Sequence, residues 1–129
     1  MQLTNEIVEE HIRRAEKCLT SAQAIFSAGD LESSVNRLYY CVFNCASALL
    51  ATEGVSYKKH SAVIGHFNRN YINTGILDGS LSKIIEKLFI ERNGCDYDMG
   101  YFADEELVKE RINDAAYFLE EIKKFLNIR

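Results

Sequence analysis

An all-α fold, a bundle of four long helices plus a short one, is predicted by three features of the 129-residue sequence. Proline, the residue that breaks helix interiors and favours irregular connections, is absent. Only 7 glycines punctuate the chain. Near each end, apolar residues recur with 4-3-4-3-4 spacing: Val8, Ile12, Ala15, Leu19, Ala22 and Phe26, then Val108, Ile112, Ala115, Leu119, Ile122 and Leu126. That spacing draws one apolar stripe along a helix and suits packing at a shallow angle. At this length one domain over residues 1–129 is the expectation.

The first helix is expected to start under a cap from Thr4 or Asn5 and to stop at Gly29, which can adopt the left-handed conformation. Asp30 then caps a second helix that runs to about Glu53 and ends at Gly54. It is apolar nearly all round (Leu38, Tyr39, Val42, Phe43, Ala46, Leu49 and Leu50) and should be the most buried element. A third, shorter helix spans about Lys58 to Ile72. Residues Asn73 to Ser80, with Gly75 and Gly79, read as a loop. Ser80 is expected to cap a fourth helix carrying Leu81, Ile84, Ile85, Leu88 and Phe89. Gly94 to Ala103 read as a second loop. Asp104, Glu105 and Glu106 open the last helix, where acids complement the positive end of the helix dipole, and Lys123 and Lys124 sit near its negative end.

Composition excludes several function classes. The longest near-apolar run, Leu38 to Ala51, has 14 residues and contains Asn44, short of the roughly 20 needed to span a bilayer. The polar start Met1-Gln2-Leu3-Thr4-Asn5-Glu6 predicts no signal peptide. Cys18, Cys41, Cys45 and Cys95 form no C-x-x-C pair, so they read as reduced, mostly buried thiols of a cytoplasmic protein. No Glu precedes His11, His60 or His66 by three residues, as a di-iron bundle would require. The phosphate-loop, zinc-protease and nucleophile-elbow patterns are also missing. Neither a metal nor a cofactor is expected.

Three weaker features carry chemistry. Arg92 follows Leu88 by four residues and Ile85 by seven, which places a cation on an inward face where it must find a partner. It can hold the helix end through an ion pair with Asp96, or aim its two-pronged guanidinium at a phosphate with Asn93, Asp96 and Tyr97 beside it. On the second helix Ser33, Arg37, Tyr40, Asn44 and Ser47 form a polar stripe. They either satisfy one another in the core or line a cleft facing Arg92. Finally, no Asp or Glu lies between Glu53 and Asp78, a window holding Lys58, Lys59, Arg69, His60 and His66 among Tyr57, Phe67 and Tyr71. On a chain of net charge −4 this is either a solvated face or a small positive patch with aromatics for base stacking.

Three segments, taken in order, resemble the HEPN superfamily (higher eukaryotes and prokaryotes nucleotide-binding), in its small stand-alone prokaryotic branch. They are Arg37-Leu38-Tyr39-Tyr40, Tyr57-Lys58-Lys59-His60-Ser61, and Arg92-Asn93-x-x-Asp96-Tyr97 ahead of a helix from Glu105-Glu106 to Ala115-Ala116-Tyr117-Phe118. The resemblance extends from about Asn5 to Phe125. It implies an up-and-down four-helix bundle with a short extra helix, usually a homodimer. It also implies a minimal nucleotidyltransferase as partner in a toxin–antitoxin-like pair. Active members are metal-independent ribonucleases whose motif is Arg, a polar residue, a short spacer and His. Arg92 and Asn93 match that motif, but Tyr97 stands where the His belongs, followed by Asp98 and Met99. A tyrosine with a reference pKa of ~10 is a poor general base at neutral pH. Some relatives carry a tyrosine, adenylylated by the partner, two residues beyond the His; Met99 holds that place here, so no such site is expected.

The resulting expectation is a homodimer that binds nucleotide or RNA phosphate through Arg92, Arg37, Tyr40, Asn44, Lys59 and His60. The alternatives are a ribonuclease using Arg92, Asn93, Asp96 and Tyr97, with or without His60, and a structural or adaptor dimer with no ligand.

Overall fold

The computed structural model describes residues 2–97 and 103–128, with side chains described for 5–95 and 103–128. Among the described residues all regular structure is helical. The elements are α1 (Gln2–Ser27), α2 (Leu31–Thr52), α3 (His60–Phe67), a π-helical turn (Asn68–Ile72), α4 (Gly79–Tyr97) and α5 (Glu105–Leu126). α2 touches α1, α3, α4 and α5 and so forms the centre of the bundle. Its Val35, Leu38, Tyr39, Val42, Ala46 and Leu49 are fully buried, as a helix apolar nearly all round requires.

Local chemistry sets most boundaries. Gly29, at φ +90°, ends α1 while the Gly29 and Asp30 amides donate back to Phe26 and Ile25. Gly54, at φ +71°, ends α2 in the same paired manner, with amides returning to Ala51 and Leu50. Both are left-handed caps that satisfy otherwise orphaned carbonyls. Asp30 and Asp104 accept the Ser33 and Glu106 amides to start α2 and α5.

Four boundary expectations need correction. α1 is already helical at Gln2, so the backbone of Thr4 and Asn5 lies inside the helix rather than at its start. Asp78, not Ser80, starts α4, because its carboxylate accepts the Ser80 amide at 2.8 Å. The third helix does not run as one α-helix to Ile72: after Phe67 it widens into the π turn, closed by the Asn73 amide on the Asn68 carbonyl at 2.8 Å. Asn68 also accepts the Ser82 hydroxyl at 2.7 Å, so the turn is pinned to α4. α4 continues through Gly94 to Tyr97, where a loop was expected.

Candidate functional site

Tyr39 and Tyr40 are neighbours on α2, so their side chains diverge by about 100° and present two aromatic faces to whatever packs there. Arg92 arrives from α4. Its guanidinium carbon lies 5.4 Å from the Tyr39 ring centre and 5.5 Å from that of Tyr40, close enough for cation–π attraction. Arg92 Nη2 donates to Tyr40 Oη at 3.3 Å, and Nη1 approaches Asn93 Oδ1 at 3.4 Å. The guanidinium is thus half-buried and held by aromatic faces.

The first residue of α3 completes the group. His60 Nδ1 sits 3.0 Å from Tyr39 Oη, and its ring centre is 4.2 Å from that of Phe43. Burial pushes the Tyr39 phenol well above its ordinary range, against the pull of Arg92, so Tyr39 stays protonated. Burial, and then the charge of Arg92, lower the pKa of His60. The arrangement therefore holds a neutral imidazole beside a permanent cation. If Tyr39 donates to Nδ1, the Nε2–H can reach a phosphate oxygen. In the other tautomer Nε2 is a proton acceptor.

These shifts fix an expected pH response. His60 binds its proton less readily in the folded protein than in the unfolded chain, where imidazole titrates near 6.5. Its effect on stability is therefore absent well above that pH and grows unfavourable as pH falls through it, because the unfolded state protonates first. Glu53 acts in a lower window. The Tyr71 hydrogen bond, and His66 after it, outweigh burial and hold its carboxyl below 4.5, so that contribution is lost only under more acid conditions. The melting temperature of His60→Asn should accordingly decline less than that of wild type between pH 7.5 and pH 5.5. Parallel declines would show that the His60 environment does not disfavour its charge.

The remaining candidates divide. Arg37 also lies over the Tyr40 ring, 5.3 Å from its centre, with Nε and Nη2 donating to Asn36 Oδ1. Asn44 turns towards α1: its Oδ1 meets His11 Nδ1 at 3.0 Å and its amide donates to the Tyr40 carbonyl. Arg37, Tyr40 and Asn44 do line a common cleft, between α1 and α2, while Ser33 is exposed and Ser47 borders another pocket with His11. Lys59 precedes α3, is exposed and joins none of these contacts. Asp96 and Tyr97 extend the backbone of α4, but their side chains, like Asp98 and Met99, lie outside the described residues.

The acid-free window does not form an aromatic-studded patch. Phe67 and Tyr71 are in the core, and His66 is only 6% exposed. His66 Nε2 meets both Glu53 oxygens at 3.1 and 3.2 Å, and its Nδ1 meets Tyr57 Oη at 3.0 Å. Of the stacking candidates only Tyr57 keeps substantial exposure.

Sequence reasoning missed two parts of the arrangement. Tyr39 was counted as core, which it is, but its hydroxyl and ring face also hold His60 and Arg92. The ion pair of Arg111 with Glu91, at 2.8 Å, anchors the residue next to Arg92 and was not foreseen. A buried arginine in an amphipathic helix leaves no periodicity signal. Among the described residues no three His, Cys, Asp or Glu are placed to hold a metal ion, and no helix is long and apolar enough to cross a membrane.

A family model described as HEPN domain matches residues 8–125. A UPF0332 protein of Thermotoga maritima is 38% identical over 126 residues, covering 98% of this chain and 96% of its own length. Two proteins of Methanocaldococcus jannaschii bear the name "Putative toxin". One is 33% identical over 96% of this chain and 95% of itself, the other 32% identical over 92% and 81%.

Proposed function

The chain belongs to the HEPN domain family, and on that premise we propose that it is a toxin-like, homodimeric module, one domain over its length, that binds the phosphate of nucleotide or RNA at Arg92. Its partner in this reading is a minimal nucleotidyltransferase, as in a toxin–antitoxin pair. The toxin part rests on the names carried by the Methanocaldococcus relatives. A cytoplasmic setting belongs to the same proposal; Cys18, Cys41, Cys45 and Cys95 are free thiols, which a reducing compartment maintains.

One observation carries the binding assignment: a half-buried guanidinium laid between Tyr39 and Tyr40 with a neutral imidazole on the same pair of rings. A cation supported by aromatic faces keeps its charge while losing part of its water, which strengthens its attraction for a phosphate oxygen. Titration of 5′-AMP and of short single-stranded RNA should give saturable binding, and light scattering should give a dimer mass. A monomer at micromolar concentration removes the dimer, and no binding of either ligand at millimolar concentration removes the phosphate site.

The placement of His60 favours a second reading, metal-independent RNA cleavage. The family motif His is replaced in sequence by Tyr97, but His60 from α3 lies within the field of Arg92. In that reading Arg92 steadies the phosphate oxygens while His60 Nε2 moves the ribose hydroxyl proton. Cleavage should then persist in EDTA and fall by about a hundredfold or more in His60→Ala. Cleavage undiminished in that variant would exclude His60 from the chemistry.

A further inference from the structure

Next to the Arg92 group a cleft of 320 Å³ opens between α1 and α2, bordered by Arg14, Lys17 and Cys18 on one side and Arg37, Tyr40 and Asn44 on the other. Tyr40 belongs to both places. Its hydroxyl meets Arg92, and its ring lies under Arg37. The two guanidinium carbons, 5.3 and 5.5 Å from one ring centre, are therefore within about 11 Å of each other.

Charge balance within this part of α1 and α2 is uneven. Arg13 and Arg14 are matched by Glu10, and Lys123 by Glu16. Among the described residues no carboxylate pairs with Lys17 or Arg37. Both stand near the Cys18 thiol and act to lower its pKa, although burial outweighs them. Two unmatched cations thus converge on a concavity of a chain whose net charge is −4. Like charges gathered without counter-charge are unfavourable, and an anion in the cleft would relieve them.

We propose that Lys17 and Arg37 form a second phosphate subsite, so that the protein grips a single-stranded RNA backbone at two points, one at Arg92 and one in the α1–α2 cleft. This rests on the Arg92 reading above and extends it. The span fits the ligand: guanidinium groups no more than about 11 Å apart can reach phosphates of neighbouring nucleotides on one single strand. Cation-lined grooves that follow the backbone, with aromatics beside them, are the usual means of holding single strands without reading sequence. A mononucleotide carries one phosphate group and can occupy only one of the two points.

The test measures fluorescence anisotropy of a labelled RNA of about six nucleotides, and competition by 5′-AMP and ATP, over a series of salt concentrations. Lys17→Ala should weaken RNA binding by roughly fivefold at low salt and reduce the log–log salt slope by about 0.7, one phosphate contact on a single strand. It should leave 5′-AMP affinity within twofold. Arg37→Gln should reduce the RNA slope similarly, and Lys17→Arg should restore it. Lys17 is exposed on α1, so these variants should fold, which circular dichroism checks. Unchanged RNA affinity and slope in Lys17→Ala overturn the subsite while leaving Arg92 binding intact. Loss confined to ATP overturns the assignment to RNA. Absence of all binding in the wild type removes the Arg92 reading and this one with it.

Discussion

Arg92→Ala is expected to weaken binding of 5′-AMP and of short RNA by at least about thirtyfold. A hydrogen bond to a charged group contributes about 1.5–3 kcal/mol, and a guanidinium facing a phosphate can make two such bonds in one plane. Losing only about 2 kcal/mol already corresponds to some thirtyfold in affinity. Arg92→Lys should recover part of the loss, since a point charge remains but the fork does not. The variant should also melt slightly earlier, because contacts with two rings at 5.4 and 5.5 Å disappear, each worth about 1 kcal/mol or less. Equal affinity for both ligands in wild type and Arg92→Ala would end the assignment, leaving the arginine as a packing group.

The second large effect concerns stability. Arg111→Ala should destabilise the protein by about 3 kcal/mol at neutral pH. The Arg111 side chain is 7% exposed and its partner Glu91 12%, and two hydrogen bonds join Nε to the carboxylate. Asp114 and Glu110 also approach the guanidinium. Burial already raises the Glu91 pKa despite Arg111. Without Arg111 the carboxylate would stand uncompensated in a poorly hydrated site, or would have to take up a proton. At about 4 °C per kcal/mol for a chain of this size, the melting temperature should fall by about 12 °C.

A double replacement separates charge from packing. Arg111→Leu with Glu91→Leu should be close to wild type in stability, because exchanging a buried pair for apolar side chains is often neutral or better. A loss below about 0.5 kcal/mol for Arg111→Ala would mean that water screens the pair, as at exposed sites. The pair also bears on function. Glu91 precedes Arg92, so fixing the end of α4 against α5 fixes the base from which the guanidinium reaches α2. RNA affinity should therefore fall in Arg111→Ala even at temperatures where the variant is fully folded.

The sequence alone determined the helical segments and four of their ends. The 4-3-4-3-4 seams, Gly29, Gly54, Asp30 and Asp104 act within one or two turns of their own position, where spacing and capping chemistry operate. It also singled out Arg92, which follows Leu88 and Ile85 at helical spacing, and Arg37, which shares a stripe with Tyr40 and Asn44. Only the tertiary structure decided that Arg92, Tyr39 and His60 meet. Their positions are far apart along the chain, and their meeting depends on how α2, α3 and α4 are rotated and crossed. That rotation is set by side chains packing across helices, which no local pattern encodes. The burial of Arg111, the π turn after Phe67 and the opening of Lys17 onto the α1–α2 cleft were decided in the same way. Each depends on what a neighbouring helix brings to the contact.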